Sequence, residues 1–317
     1  MPSFQCRMMY FMMRNRHLFR LRLKQEAWDE HTSIPDFRRE CEQLSSRMSA
    51  VPQGVTIEPV TIEHLYAEWL LSPAGRKDPV ILYAIGGGYV SGSCQDHRGF
   101  VGKLVGASGV SVLLVEHRLA PEHPFPAPLE DLVTAYRWLL KQDIPPARIM
   151  IVGESAGGGL CLATLLALRD HGIPLPAAGV AISPWTDLTL SSDSYHRNAK
   201  VCLSPPNMAA VCSRYYVGDH DPRHPWISPL HGDLHGLPPL FISAGGHDTL
   251  CDDATRFAGK AKAAGIDVTL QFGDGMCHCY PLLSPLFPEA KQAMDEICAF
   301  IRSHIPVDTR PDHASSP

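Results

Sequence analysis

A chain of 317 residues, 45 % of them apolar and 19 % charged, can bury one large core and has room for a single domain with a small lid. Its formal net charge of −5 gives no electrostatic reason to expect a nucleic-acid partner. No stretch reaches the roughly 18 uninterrupted apolar residues of a membrane span, and ten irregularly spaced cysteines make no disulfide framework, which favours a reducing, cytoplasmic setting.

Residues 1–25 carry Arg7, Arg14, Arg16, Arg20, Arg22 and Lys24, with no acid before Glu26. Arginines interrupt every apolar run and no small-residue cleavage site follows, so a secretory signal is a poor reading. The expectation is a disordered first dozen residues, with Met8, Met9, Met12 and Met13 as alternative starts. A lid helix over 15–30 would follow, lying on the active face or on a membrane surface. A short polar helix is predicted over 36–48, ended by Pro52-Gln-Gly54, and half-buried strands over 55–60 and 64–71. The run 79–85 is continuously apolar, as in a strand buried on both faces, and leads into Gly86-Gly87-Gly88-Tyr89. A helix over 96–107, a strand over 110–115, a proline-stiffened loop over 116–126 and an amphipathic helix over 127–142 come next.

The stretch 148–169 organises the chain. A β-branched run over 149–152 reads as a buried strand, passes through Gly153-Glu154-Ser155-Ala156-Gly157, and enters an Ala/Leu-rich helix that reaches 169. This is the G-x-S-x-G pattern in its strand–turn–helix context, which lifts a serine hydroxyl clear of the sheet. Glycines flank Ser155 because the turn leaves no space for side chains beside it. A strand over 178–183 follows. Residues 187–235 are then richer in Pro, His, Asp and aromatics, with one helix over 206–216, a composition that marks an insertion. The alternation resumes with strands over 239–244 and 268–272 and helices over 252–264 and 288–303, and 305–317 reads as a disordered tail. Such alternation implies a mostly parallel sheet with helices on both faces. Sites in these sheets lie at the carboxyl ends of strands, where the loops 86–89, 153–157, 245–251 and 274–280 all fall.

A serine hydroxyl needs a base, and the base an orienting acid. Of sixteen histidines, His278 stands out in a loop between a strand and the last helix. Asp248 follows a strand through Gly245-Gly246-His247, whereas Asp252 and Asp253 are better explained as capping and first-turn charge of the next helix. The order Ser155, Asp248, His278 suits this type of nucleophile turn. Gly86-Gly87-Gly88 and the N–H of Ala156 can donate to an oxyanion. No Lys-Ser/Thr follows the glycines, which removes a phosphate cradle, and Cys277-His278-Cys279 lacks the second cysteine pair that a zinc site requires. Neither metal nor cofactor is expected.

The chain resembles the bacterial hormone-sensitive-lipase family of α/β-hydrolase esterases. The matching stretches are Tyr83-Ala-Ile-Gly-Gly-Gly-Tyr-Val-Ser-Gly92, Arg118-Leu-Ala-Pro-Glu-His-Pro-Phe-Pro126, Gly153-Glu-Ser-Ala-Gly-Gly158, Ser183-Pro-Trp-Thr-Asp187, Gly236-Leu-Pro-Pro239, His247-Asp248 and Gly275-Met-Cys-His278, spread over about residues 50–303. The resemblance implies an α/β-hydrolase fold with an eight-stranded, mostly parallel sheet and a helical cap. Its catalytic domain would span 51–186 and 231–304, with cap segments over 1–50 and 187–230. It places the nucleophile on Ser155, the acid on Asp248, the base on His278, and the oxyanion donors on Gly87, Gly88 and Ala156. Two positions depart from the family: Ile85 stands where its glycine motif begins with histidine, and Glu154 where aspartate is usual. Tyr89, Trp185, Tyr215 and Trp226 are candidate pocket liners, each equally suited to core or lid packing. The activity implied is that of a serine carboxylesterase acting on short- to medium-chain acyl esters. The alternatives are an amidase or deacetylase of a small metabolite on the same triad, or a non-catalytic binder. The partner implied is a small-molecule ester, without stable membrane insertion, and a homodimer is compatible with the last helix and a strand edge.

Overall fold

The computed structural model describes residues 2–15, 27–46 and 50–307. Helix α1 (Phe4–Arg14) is capped by Ser3, whose hydroxyl accepts from the Cys6 N–H at 3.2 Å. Helix α2 (Ile34–Ser46) and the hairpin strands β1 (Thr56–Ile62) and β2 (Leu65–Leu71) follow. The alternation then runs β3 (Val80–Ala84), α3 (Cys94–Ser108), β4 (Ser111–Glu116), α4 (Ala127–Lys141), β5 (Ile149–Glu154), α5 (Ala156–Asp170) and β6 (Ala178–Ile182). Helices α6 (Ser194–Arg197) and α7 (Met208–Val217) interrupt it before β7 (Leu240–Gly245), α8 (Cys251–Ala263), β8 (Val268–Gly273) and α9 (Pro288–His304).

The strands form one eight-stranded sheet in the order β1-β2-β4-β3-β5-β6-β7-β8. β2 runs antiparallel to both its neighbours, and the strands from β4 to β8 pair in parallel. Successive residues of the central strands feed opposite faces. Val80, Leu82 and Ala84 of β3 join Leu113, Val115, Ile149 and Ile151 in a core beneath α4, α5 and α8. Ile81 and Tyr83 join Val112, Leu114, Met150 and Val152 in a second core beneath α3 and α9. Burial on both faces is why these strands read as unbroken apolar runs.

The two ends of the chain differ from expectation. In place of a disordered first dozen residues, residues 4–14 form α1, because Cys6 and Met9 are buried against Met276, Tyr280 and Phe287. Those positions, with Tyr10 and Met13 beside them, share one helical face. The lid helix expected over 15–30 is absent from its described part: 27–33 is irregular, and 16–26 lie outside the described residues. Trp28 is anchored instead by its N–H, which donates to the Pro206 carbonyl at 2.9 Å, and by edge-on packing against Phe37. Of the predicted tail, Ile305 is fully buried in the α3–α9 core, and 308–317 lie outside the described residues. Among the described residues no helix is long and apolar enough to cross a membrane.

The segment between β6 and β7 is fastened over the strand ends. Asn198 Nδ2 donates to the carbonyls of Gly246 and Asp248 at 3.0 and 2.7 Å, and Ser194 Oγ to that of Thr249 at 2.6 Å.

Candidate active site

Ser155 occupies the one residue between β5 and α5, at φ 56° and ψ −123°. A non-glycine residue holds such a backbone only when its surroundings impose it. Here the Ser155 N–H donates to Ile182 O at 2.8 Å, and its carbonyl accepts from Gly159 N and Trp185 N, both at 3.0 Å. The flanking glycines are a steric necessity: a Cβ on Gly153 would lie 2.2 Å from Gly157 O, and one on Gly157 2.1 Å from Ala84 O. Ser155 lines a cavity of about 630 Å³, together with Gly87, Gly88, Trp185, Asp248 and His278.

Asp248 sits in the turn after β7, 1 % exposed. Its Oδ1 accepts from Leu250 N at 3.0 Å, and its Oδ2 faces His278 Nδ1 at 2.7 Å. A carboxylate opposite Nδ1 places the neutral ring's proton there and leaves Nε2 as the acceptor. Burial pulls the imidazole pKa down, but the charge and hydrogen bond of Asp248, together with those of Cys279, outweigh it and hold His278 well above the usual histidine value. The rival acids hold structure instead. Asp252 accepts from Ser194 N and pairs with Arg197, while Asp253 accepts from the N–H groups of Thr186 and Asp187 and from Ser192 Oγ. Both fall in the first turn of α8.

The glycine loop after β3 turns at Gly87 (φ 115°), Gly88 (φ 67°) and Tyr89 (φ 64°). The Gly87 carbonyl accepts from Val90 N, Ser91 N and Ser91 Oγ, which fixes the turn. The Gly86 N–H donates to Glu154 Oε1 at 2.7 Å and is therefore committed, leaving Gly87 and Gly88 at the cavity wall. Ala156 opens α5, where a first-turn N–H has no intrahelical acceptor.

Of the candidate liners, Trp185 does line the cavity. Tyr89 does not: it is 2 % exposed and stacks on Tyr216 with ring centroids 3.7 Å apart, bracing the glycine loop from behind. Tyr215 packs against the α4–α5 core outside the cavity lining, and Trp226 donates its Nε1–H to Asp170 Oδ2 at the surface. The walls that sequence reasoning missed include Met208 and Cys212, four apart on one face of α7, with Tyr195, Leu250 and Leu282. Their helix was legible, but not the face it presents. Among the described residues no group of three or more His, Cys, Asp or Glu could hold a metal ion.

Known proteins share this fold. A family model described as an alpha/beta hydrolase fold matches residues 81–282. The chain is 44 % identical to an acetyl-hydrolase of Streptomyces hygroscopicus, over 80 % of this chain and 84 % of that protein. It is 34 % identical to an esterase of Acinetobacter venetianus, over 80 % of this chain and 84 % of that one. An esterase from the bacterial hormone-sensitive lipase family superposes with a TM-score of 0.87 at 40 % identity, over 96 % of this chain and 99 % of the other.

Proposed function

The chain belongs to the α/β-hydrolase fold family and within it to the bacterial hormone-sensitive-lipase esterases, and from that premise we propose how its own residues hydrolyse an ester. It is a carboxylesterase. Ser155 Oγ attacks the ester carbonyl as His278 Nε2 takes its proton, and Asp248 orients the ring and stabilises the imidazolium. The N–H groups of Gly87, Gly88 and Ala156 receive the oxyanion. The protonated His278 returns its proton to the leaving alcohol, and water then hydrolyses the acyl-enzyme by the same steps reversed. One observation carries this reading: the His278–Asp248 pair, closed at 2.7 Å, opens onto the same cavity as a serine held at positive φ.

The segment 187–230 forms a cap over that cavity, and of the N-terminal cap segment residues 27–46 are tied to it by the bond from the Trp28 backbone N–H to the Pro206 carbonyl. A volume of about 630 Å³, walled by Met208, Leu250 and Leu282, suits short- to medium-chain acyl groups. Ten free cysteines, seven of them buried, suit a reducing cytoplasm (Cys6, Cys94, Cys161, Cys212, Cys251, Cys277 and Cys298). The test is hydrolysis of p-nitrophenyl esters from acetate to palmitate beside the Ser155→Ala variant. Activity should peak at short chains and vanish in the variant; hydrolysis that survives Ser155→Ala would overturn the mechanism.

A further inference from the structure

The polar centre that the triad leaves unused is the side chain just before the nucleophile. Glu154 closes β5, with its side chain 6 % exposed, and lines the cavity beside His97 of α3. Its Oε1 accepts from the Gly86 N–H at 2.7 Å and faces His97 Nε2 at 2.9 Å. His97 Nδ1 in turn lies 3.1 Å from the Ser93 carbonyl. A carbonyl oxygen can only accept, so Nδ1 carries a proton. Nε2 faces a carboxylate oxygen that already accepts one hydrogen bond, and a second proton there completes an imidazolium–carboxylate pair. The His97 pKa agrees: burial lowers it, and the Glu154 charge, the two hydrogen bonds and Asp96 together raise it above the usual value. The Tyr83 hydroxyl and the Cys279 thiol also face Glu154, and burial keeps both protonated.

This pair sits at the start of the glycine loop, where the side chain of Ile85 offers no anchor. Ile85 is 1 % exposed within the α3–α9 core and has no polar atom to offer. The loop's first polar ties are therefore the Gly86 N–H on Glu154 and the Ile85 carbonyl opposite His117 Nε2 at 3.1 Å. Ala84 and Gly153 are register partners across β3 and β5. Glu154 thus links the residue preceding Gly87 to its own chain neighbour, Ser155. One carboxylate spans the gap between the nucleophile and the amides that must receive the oxyanion.

We propose that Glu154 and His97 are positioning residues for the oxyanion hole: the charged pair holds the Gly86 amide and so fixes the aim of the Gly87 and Gly88 N–H groups relative to Ser155. The proposal rests on the ester-hydrolysis reading above. Neither side chain touches the reacting atoms, so their loss acts on the transition state through amide geometry and leaves ground-state binding alone.

The test uses Glu154→Gln and His97→Gln. The second keeps the carboxylate under Gly86 and removes only its charged partner, so it carries the test should the first fail to fold. For p-nitrophenyl butyrate, kcat should fall roughly 10- to 100-fold while KM stays within about threefold. An alkyl trifluoromethyl ketone, whose adduct with Ser155 carries a tetrahedral oxyanion, should lose affinity by the same factor as kcat/KM. The proposal is overturned if both variants keep wild-type kcat and ketone affinity. It is equally overturned if the loss falls on KM and melting temperature while ketone affinity is unchanged. A wild-type protein with no Ser155-dependent hydrolysis would overturn the functional reading and this proposal with it, and is recognised by the Ser155→Ala control.

Discussion

His278 Nδ1 lies 2.7 Å from Asp248 Oδ2, and this contact sets the tautomer of the imidazole and raises its proton affinity. Only the neutral ring can accept the Ser155 proton. The acidic limb of kcat/KM therefore follows the His278 pKa, which Asp248 and Cys279 together hold above the ordinary histidine range against the opposing effect of burial. Activity should rise as pH increases through that value. The same shift contributes stability that is complete below the unfolded-state histidine pKa and is lost as pH rises through the folded one.

Asp248→Asn separates these effects. Without that charge, burial is opposed by fewer groups, Cys279 among them, and the acidic limb moves to lower pH. An amide facing Nδ1 also favours the tautomer that leaves Nε2 unable to accept, and kcat should drop on the order of 10⁴-fold. A pH–rate profile of a p-nitrophenyl ester reads both, and an unmoved acidic limb would remove Asp248 from the role assigned to it.

Gly157→Ala tests the elbow. The added methyl would lie 2.1 Å from Ala84 O, a backbone atom that cannot swing away. Either β3 or α5 must shift, which costs about 1–3 kcal/mol of stability. Because β3 leads into the glycine loop, the shift also moves the oxyanion amides, and misplacement near 1 Å costs about 10²-fold in rate. Thermal melting and kcat/KM should fall together, and a variant with normal activity would show the turn to be looser than its contacts imply.

How much of the molecule was legible in the sequence depends on how local each cause is. The elbow could be read because Gly153 and Gly157 answer to atoms of their own turn and its neighbouring strand. The sheet could be read because strands buried on both faces leave unbroken apolar runs. That Asp248 and His278 would meet could be anticipated because strand ends converge in a parallel sheet. Tyr89 misled, since its place next to the glycines points to the cavity; at φ 64° it turns to stack on Tyr216, a partner that tertiary packing alone supplies. Helix α1 was hidden for a related reason: its Met- and Arg-rich stretch is stabilised by Met276, Tyr280 and Phe287 from the far end of the chain.

Ile85→His asks whether a histidine at the start of the glycine motif improves the enzyme. The Ile85 side chain is packed in the α3–α9 core, and a Cβ on Gly92 would lie 2.5 Å from its Cγ2, so the site is tight. An imidazole there gives up apolar contacts and buries polar nitrogens, costing about 1–3 kcal/mol. With Glu154 and His117 already holding Gly86 and the Ile85 carbonyl, kcat should not rise. A higher kcat in the variant would show that the loop lacks support which histidine restores.

Asp253→Asn probes how the cap segment is held. The carboxylate is fully buried and accepts from Thr186 N, Asp187 N, Ser192 Oγ and Tyr195 OH. Burial, with the nearby Asp187 charge adding to it, raises its pKa from 3.8 to about 7 despite those donors. A carboxyl group whose folded pKa is raised takes up a proton on folding. Its contribution to stability is therefore greatest below the unfolded value and declines as pH climbs toward about 7. Asparagine cannot titrate, and its NH₂ sets two protons, where the neutral acid sets one, against donors that need an acceptor, costing about 1–3 kcal/mol. The stability difference between wild type and variant, measured by urea unfolding, should be larger at pH 5 than at pH 7.5. Since Ser192 and Tyr195 lead directly to Ser194 and Asn198, which fasten the cap to the Asp248 turn, activity should fall with stability. A difference that grows with pH would mean that Asp253 stays ionised under the cap, its four donors outweighing burial.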